Sequence, residues 1–149
     1  MQMKFFPLDD SPSFWIYRIH IQGVNLLRKT LQASGYDLTP EQCGVLVRLR
    51  ECQGINQSQL GKRVFKDRHS ITRILNLLEK RDYIERRPDE ADKRIYRIFL
   101  TESGAAVRDR LIPLISRHFD RVFEGLTEED ILLMRRTLKH IIKNIERNV

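Results

Sequence analysis

Apolar residues recur at helical spacing along most of the chain, and turn residues divide them into six predicted helices. The first helix begins with Ser11 as its N-cap and Pro12 at its first position, and it ends at Gly35. The second begins at Thr39, with Gln42 at the third helical position, where its side chain can complete a capping box. Both helix starts are therefore marked by the local sequence.

A short helix is predicted over residues 56–64, with Leu60 and Val64 facing inward, and another begins after Asp67. That fourth helix has an apolar stripe at positions i, i+3, i+4 and i+7, formed by Ile71, Ile74, Leu75 and Leu78. At 100° per residue its opposite face is polar and cationic, and it carries His69, Thr72, Arg73, Asn76 and Lys80. The fourth helix is therefore predicted to bury one face and to present cations on the other.

After the fourth helix the apolar pattern changes from helical to alternating. Residues 83 and 84 open a strand, residues 88–93 form a turn, and residues 94–100 form the return strand. Tyr96, Ile98 and Leu100 share one parity and are predicted to face inward, while Asp92 in the turn is placed to orient a neighbouring arginine. Two long helices complete the chain, starting near Thr101 and at Thr127.

Two helices joined by a short turn and followed by a β-hairpin form a winged helix-turn-helix, so the predicted fold class is mostly α with a small β-hairpin wing. A helix with a cationic face fits the major groove of DNA, where arginine can read guanine. Amides and hydroxyls at the start of the preceding helix can hold phosphate. A narrow hairpin with an arginine at its tip can enter the minor groove, attracted by the negative potential there.

The charge distribution favours the same partner. The net charge is +7 and the sequence pI is about 9.7, which alone indicates a polyanionic partner only weakly. Residues 61–87, however, hold nine Lys or Arg residues against four Asp or Glu residues, so most of the excess lies in the predicted DNA-facing segment. The alternative is that these cations form an ordinary solvated surface.

Three segments carry a family resemblance: "LTPEQCGVLVRL" at 38–49, "NQSQLGKRV" at 56–64, and "SITRILNLLEKRDYIERRPDEADKRIYRIFLTESG" at 70–104. Together they resemble the multiple-antibiotic-resistance regulator (MarR) family of winged helix-turn-helix transcription regulators. The most specific part is the wing, where Asp92 and Arg94 form the D-x-R of the tip and "LTESG" follows. The chain departs from the family at Asp82, where members usually have glycine.

Members of this family are dimeric regulators, often repressors that release DNA when a small molecule binds. The resemblance implies that Arg94 enters the minor groove and that double-stranded DNA is the partner. It implies that the start of the fourth helix faces bases or phosphates and that the start of the third meets the backbone. With Asn76 from the polar face, the predicted DNA-binding residues are Asn56, Gln57, Ser58, Arg68, His69, Ser70, Thr72, Arg73, Asn76 and Arg94.

The resemblance also implies that the terminal helices interleave with a second copy, because the small central module cannot cover their apolar stripes. The predicted organisation is a dimerisation helix at 1–36, a DNA-binding module at 37–101 and dimerisation helices at 102–149, within one structural domain of an intertwined dimer. Two-fold symmetry would place the two recognition helices about one DNA turn apart, ~34 Å, on a pseudo-palindrome.

An effector site is also implied, since the family's crevice lies between the dimer helices and the DNA module. Phe14, Trp15 and His20 on the first helix form the candidate wall for a small aromatic or lipophilic effector. The alternative is that these side chains pack the dimer core or interface, and that reading is favoured.

The cysteines and histidines do not indicate a redox or metal sensor. Cys43 follows the capping box as a small buried hydrophobe. Cys52 lies near two arginines, which makes thiol sensing the alternative to a structural role, and the structural role is favoured. The four histidines are dispersed without the spacing of a metal pair, and His118 is interpreted as an ordinary helix residue. No cofactor and no metal are expected.

Catalytic and membrane functions are not indicated. The chain has no glycine-rich phosphate loop, no G-x-S-x-G motif and no paired carboxylates in an apolar setting, so no catalytic residues are expected. The lack of a long apolar window and of a signal-like N-terminus predicts a cytoplasmic protein. The remaining alternative is a winged-helix module with an architectural or protein-interaction role and no sequence-specific regulation.

Overall fold

The computed structural model describes residues 7–148, apart from the side chain of Leu8. The residues fall into two compact units, with the boundary between His118 and Phe119. After a 3-10 turn at Leu8–Asp10, the elements are α1 (Pro12–Ala33), α2 (Pro40–Leu49), β1 (Ile55–Asn56), α3 (Gln57–Arg63), α4 (Arg68–Lys80), β2 (Ile84–Pro88), β3 (Tyr96–Leu100), α5 (Glu102–Val122) and α6 (Glu128–Arg147). Within residues 7–148, none of the helices has both the length and the apolar content of a membrane span.

The helix starts follow the predicted capping signals. Thr39 and Gln42 form the capping box of α2: the Thr39 hydroxyl accepts from the Gln42 amide at 3.2 Å, and Thr39 N donates to Gln42 Oε1 at 3.0 Å. Asp67 caps α4, where its carboxylate accepts from the Ser70 amide at 2.8 Å. The helix α1 starts at Pro12 as expected, but the Ser11 side chain makes no capping hydrogen bond.

The small sheet has three antiparallel strands in the order β1-β3-β2. The two-stranded wing was expected from the alternating pattern, and its register pairs Ile84 with Leu100 and Pro88 with Tyr96. The strand β1 was not predicted. It pairs Ile55 with Ile98 along the other edge of β3, so the wing is joined to the segment that leads into α3.

Tyr96 is a correction to the predicted inward face of the return strand. Ile98 and Leu100 are buried, but Tyr96 is 50% exposed. The parity was right, but Tyr96 pairs with Pro88 at the outer end of the hairpin and lines an open groove beside α3 and the start of α4 rather than the core. The strand also begins at Tyr96 rather than at residue 94.

The first unit has one apolar core, and the predicted stripe of α4 lies within it. Its buried residues come from all the elements of the winged module and from α1 and α5: Leu31, Leu38, Cys43, Val45, Leu46, Leu49, Ile55, Leu60, Ile71, Ile74, Leu75, Leu78, Ile84, Ile98, Leu100, Val107 and Leu111. The core fixes α4 with one side inward, so that its polar face is left at the surface.

The start of α5 is held against the beginning of β2 by a close backbone approach. A Cβ atom on Gly104 would lie only 1.8 Å from the carbonyl oxygen of Tyr83. The same carbonyl accepts a hydrogen bond from Thr101 N at 3.2 Å, and the Thr101 hydroxyl donates to the Asp82 carbonyl at 2.5 Å. The "LTESG" segment is therefore where α5 is fixed to the wing.

The second unit contains the end of α5, a turn and α6. Thr127 and Asp130 form the capping box of α6, as their spacing predicted. The rings of Phe119 and Phe123 stack with centroids 6.1 Å apart. None of the described residues of α6 is buried, although the helix carries a strong apolar stripe.

Candidate nucleic-acid interface

The outward face of α4 carries the predicted DNA-reading side chains. Arg68, His69, Arg73 and Asn76 are exposed, whereas Thr72 is half-buried. In the part of the chain that the structure describes, neither Arg68 nor Arg73 takes part in an ion pair. Both guanidinium groups are therefore available for an anionic partner.

Ser70 is engaged in the cap of α4 rather than directed freely outward. Its hydroxyl and its amide both donate to the Asp67 carboxylate at 2.8 Å. These hydrogen bonds hold the pKa of Asp67 below its ordinary value, and the one from the Ser70 amide has the larger effect. Ser70 can therefore approach a phosphate only at the expense of its bond to this carboxylate.

Gln57 and Thr72 connect the start of α3 to the middle of α4. Gln57 Nε2 donates to the Thr72 hydroxyl at 2.7 Å, and that hydroxyl donates to the Arg68 carbonyl at 2.7 Å. Because the single hydroxyl proton is used, Thr72 does not donate to a further group in this arrangement. It retains one lone pair of the hydroxyl oxygen and its methyl group, which is of the kind that contacts thymine. Asn56 caps α3 by accepting from the Gln59 amide at 2.9 Å, and Ser58 is exposed.

The side chain of Arg86 connects the wing to α4. It projects from β2, donates to Asn76 Oδ1 at 2.8 Å and forms an ion pair with Glu79. The sequence interpretation placed Arg86 among the cations that face DNA. It shares the parity of buried Ile84 on β2, and that parity was the signal that it turns toward α4.

The other cations in the legs of the hairpin also have partners within the chain. Arg87 pairs with Glu85, and its guanidinium carbon lies 4.6 Å from the centre of the Phe99 ring. Arg97 pairs with Asp89 and donates to the Gly54 carbonyl at 2.8 Å. Glu85 and Arg87 lie on the same strand, so the contacts that link the two legs are those of Arg87 with Phe99 and of Arg97 with Asp89.

Arg94 at the wing tip is positioned by Asp92, as the D-x-R spacing predicted. Its Nε and Nη2 atoms donate to the two oxygens of the Asp92 carboxylate at 3.1 and 3.3 Å, and its side chain is 91% exposed. The Arg94 side chain, followed by its backbone amide, holds the pKa of Asp92 below its ordinary value. The tip therefore presents an aimed but solvent-exposed guanidinium.

Asp89 organises the turn, a role that the sequence analysis did not assign to it. It is only 6% exposed and accepts from the amides of Ala91 at 2.8 Å and Asp92 at 3.1 Å as well as from Arg97. The two amides, the Asp92 amide first, and then the Arg97 side chain keep its pKa below the ordinary value. Aspartate after proline is a turn signal that could have indicated this role.

Asp82, the departure from the family pattern, has a positive φ of 57°. Its backbone is thus in the left-handed region, which glycine adopts without strain and which aspartate tolerates better than most residues. The turn before β2 therefore keeps the conformation that glycine would favour.

A groove of about 720 Å³ lies between α3, the start of α4 and the wing. Its walls combine amide, hydroxyl and cationic side chains: Asn56, Gln57, Ser58, Lys62, Lys66, Arg68 and Arg94, with Ile71, Ile95 and Tyr96. No carboxylate lines it among the described residues, so the groove suits a phosphate backbone.

Two of the three predicted effector residues are in contact. The rings of Phe14 and Trp15 pack edge to face with centroids 5.7 Å apart, and the Arg18 guanidinium lies 5.2 Å from the Trp15 ring. His20 is exposed, and five residues of helical rotation place it about 140° from Trp15. In one chain, therefore, His20 does not join the aromatic pair.

His118 was interpreted as an ordinary helix residue, and it lies in α5. It is buried, and its Nδ1 atom lies 3.3 Å from the hydroxyl of Thr30. The contact joins α5 to α1 across 88 positions of sequence. The helical periodicity of a sequence does not predict contacts between residues so far apart.

The cysteines differ in environment. Cys43 is buried as predicted, and burial raises the pKa of its thiol to about 11. The Cys52 thiol is partly exposed and donates to the Arg48 carbonyl at 3.1 Å. No group of three His, Cys, Asp or Glu residues within the described ranges could hold a metal ion.

The fold and this surface define a winged-helix DNA-binding protein. The family model described as the MarR family matches residues 36–95. The chain is 32% identical over 133 residues to the HTH-type transcriptional regulator SarZ of Staphylococcus haemolyticus, with 86% of each chain covered. The chain belongs to the MarR family. It is a DNA-binding transcriptional regulator, and the family is not enzymatic.

Solved structures share the whole fold. A probable transcriptional regulator from Pseudomonas aeruginosa is 26% identical with a TM-score of 0.83, covering 91% of this chain and 99% of that one. The repressor CouR bound to a 23-mer DNA duplex is 24% identical with a TM-score of 0.83, covering 95% of this chain and 99% of its own. At that identity the second likeness concerns the fold alone.

Proposed function

We propose that this regulator is a homodimeric repressor that binds a pseudo-palindromic operator and is released by a small aromatic or lipophilic molecule. The observation that carries the proposal is the cationic groove between α3, α4 and the wing, with Arg94 exposed at one side and the open face of α4 beside it. Such a surface matches one major groove, its phosphate wall and the adjacent minor groove.

In this proposal the side chains divide by what they reach. Arg68, His69, Arg73 and Asn76 face base edges, and Thr72 offers its methyl group. Asn56, Gln57, Ser58 and Ser70 meet the backbone. Arg94 enters the minor groove, exchanging Asp92 for the negative potential of the groove floor.

The homodimer is supported by apolar side chains that one chain leaves in water. On α1, Ile16, Ile19 and Leu26 are exposed. On α6, the exposed apolar side chains are Leu132, Leu133, Leu138, Ile142 and Ile145. Uncovered apolar surface on this scale marks an interface, and we propose that a second copy of the chain covers it. In that dimer, residues 1–36 and 102–149 are the dimerisation segments and residues 37–101 are the DNA-binding module.

The test of the dimer is the mass in solution. Wild-type chain is expected to sediment as a dimer, and Ile142→Glu is expected to shift it toward monomer because two carboxylates would be buried at a two-fold interface. Lys143→Glu, the next residue on the same helix, is the matched control. A wild-type monomer at micromolar concentration would contradict the dimer.

The operator is tested by selecting duplexes from a random library at two salt concentrations. Enrichment of an inverted repeat with half-sites about one turn apart, ~34 Å, is expected. Binding that is tight at low salt and enriches no sequence would instead favour an architectural module. Binding at neither salt would point to a protein partner. Transcription in vitro from a promoter that contains the selected site then tests repression.

The effector proposal rests on the aromatic pair at the start of α1, in which Trp15 is exposed and Phe14 half-buried, beside the Arg18 cation. Trp15 is the one tryptophan of the chain, so its fluorescence reports this site directly. Titration with benzoate or decanoate is expected to change the Trp15 emission and to weaken duplex binding in parallel. An emission change without loss of DNA affinity would contradict release by that ligand.

A further inference from the structure

The amide of Asn76 has its orientation fixed by a partner that can only donate. Arg86 Nη2 donates to Asn76 Oδ1 at 2.8 Å. A guanidinium has five N–H donors and no acceptor, so the amide atom that faces it is the oxygen rather than the nitrogen. The two N–H donors of Asn76 remain for another partner.

Arg86 is itself held in place from the recognition helix. Its Nη1 atom donates to the Glu79 carboxylate, three residues beyond Asn76 on α4. The Arg86 side chain is only 16% exposed, in contrast to Arg94 at the tip. Arg86 on β2 therefore fixes which end of the Asn76 amide points outward from α4.

Asn76 is placed where that polarity matters. It is exposed and lies three residues after Arg73, on the outward side of α4, opposite the buried stripe. An unrestrained asparagine reads adenine with both ends of its amide, accepting from N6 and donating to N7.

We propose that Arg86 is a positioning residue that makes Asn76 a donor-only reader of the major groove. Arg86 takes one of the two lone pairs of Asn76 Oδ1 and places a cationic donor beside it, which disfavours the N6 amino donor of adenine. Asn76 then presents its two N–H donors and fits acceptor edges, which are O6 and N7 of guanine or O4 of thymine. This inference rests on the proposed operator recognition and deepens it to the class of base that one side chain selects.

The experiment compares base preferences selected from a random duplex library by full-length chains. Asn76→Ala identifies the operator position that Asn76 reads, because the preference there becomes flat. Wild-type chain is expected to prefer guanine or thymine at this position. In Arg86→Met the amide is free to rotate, and adenine is expected to rise by about tenfold relative to the other bases, the scale of one two-point contact.

Two variants separate positioning from general effects of the wing. Arg87→Met removes the neighbouring arginine of the same strand, which pairs with Glu85 instead, and is expected to keep the wild-type preference. Arg86→Lys keeps a donor and is expected to restore the preference for guanine or thymine in part. A merely structural role of Arg86 would lower affinity without changing which base is selected.

Asn76→Asp provides a test that does not depend on the folding of Arg86→Met. Its carboxylate keeps the contact with Arg86 but has no donors, so the preference should move to cytosine, whose N4 group donates. A wild-type preference for adenine, an unchanged profile in both Arg86→Met and Asn76→Asp, or no position affected by Asn76→Ala would each overturn the inference. Failure of wild-type chain to enrich any sequence would overturn the proposed operator recognition itself.

Discussion

Substitution of Gly104 by alanine tests how tightly α5 is fixed to the wing. The new Cβ atom would lie 1.8 Å from the Tyr83 carbonyl oxygen, whereas Cβ contacts essentially never fall below 3.0 Å. The obstacle is backbone and cannot rotate away, so α5 and the start of β2 must separate by more than an ångström. The hydrogen bond from the Thr101 amide to the same carbonyl would be lengthened by this movement.

The magnitude follows from three terms. Overpacking costs about 1–3 kcal/mol, and the rigid obstacle places this site at the upper end. A weakened backbone hydrogen bond adds about 1 kcal/mol. Alanine returns about 1 kcal/mol because it is the better helix former. We therefore expect Gly104→Ala to lower the free energy of unfolding by about 3 kcal/mol, or Tm by about 6–12 °C at 2–4 °C per kcal/mol.

Gly44→Ala is the matched control. Gly44 also lies within a helix, it is exposed, and a Cβ atom there would meet nothing within 4 Å. It should gain about 0.5–1 kcal/mol from the same helix-propensity term. Urea unfolding followed by circular dichroism, at equal protein concentrations because a dimer's stability depends on them, compares the two. Equal stability of the two variants would refute the reasoning from the close approach.

Three further outcomes are expected. Arg94→Ala should weaken binding to all duplexes and reduce the slope of log K against log salt by about two, because each wing of a dimer would lose one contact comparable to a phosphate contact. An unchanged slope would remove Arg94 from the interface, and Lys93→Ala is the neighbouring control. Because the folded pKa of Asp89 is depressed, its contribution to stability is present above the unfolded pKa and is lost as pH falls through the folded value; Asp89→Asn should therefore reduce stability at neutral pH and flatten its loss in acid, as urea unfolding across pH would show. In the native chain Cys52 should react with a thiol reagent, whereas Cys43 should resist it because Cys43 is buried and its pKa is raised. Mass spectrometry after brief labelling identifies which thiol is modified. Early labelling of Cys43 would contradict its burial.

The parts of the fold that sequence predicted well are those in which local pattern and burial coincide. The stripe of α4 was confirmed because one face of that helix is covered by its own module. The capping boxes at Thr39 and Thr127 were confirmed because their donors and acceptors are three residues apart. Asp92 and Arg94 were recognised for the same reason, since a two-residue spacing encodes their contact.

The missed features depend on partners distant in sequence or on where the core ends. The strand β1 has two residues, too few for any alternation to be visible. His118 meets Thr30 across 88 positions, and Arg97 meets the Gly54 carbonyl across 43. Tyr96 has the parity of a core residue, but the hairpin extends beyond the core at that point. Such outcomes depend on the assembled fold rather than on the local pattern.

The ion pairs of the wing change how its charge is felt at a distance. Arg86, Arg87, Arg94 and Arg97 each lie beside a carboxylate of the same chain. A charge with its counter-charge in contact acts as a dipole, whose field decays faster than that of a lone cation, and salt shortens its range further, with a Debye length of about 8 Å at physiological ionic strength. In the proposed binding mode, the long-range attraction to DNA therefore comes mainly from cations outside ion pairs, such as Arg73, while the paired arginines of the wing act on DNA that is already close. Those arginines would contribute to the precision of docking rather than to the rate of encounter.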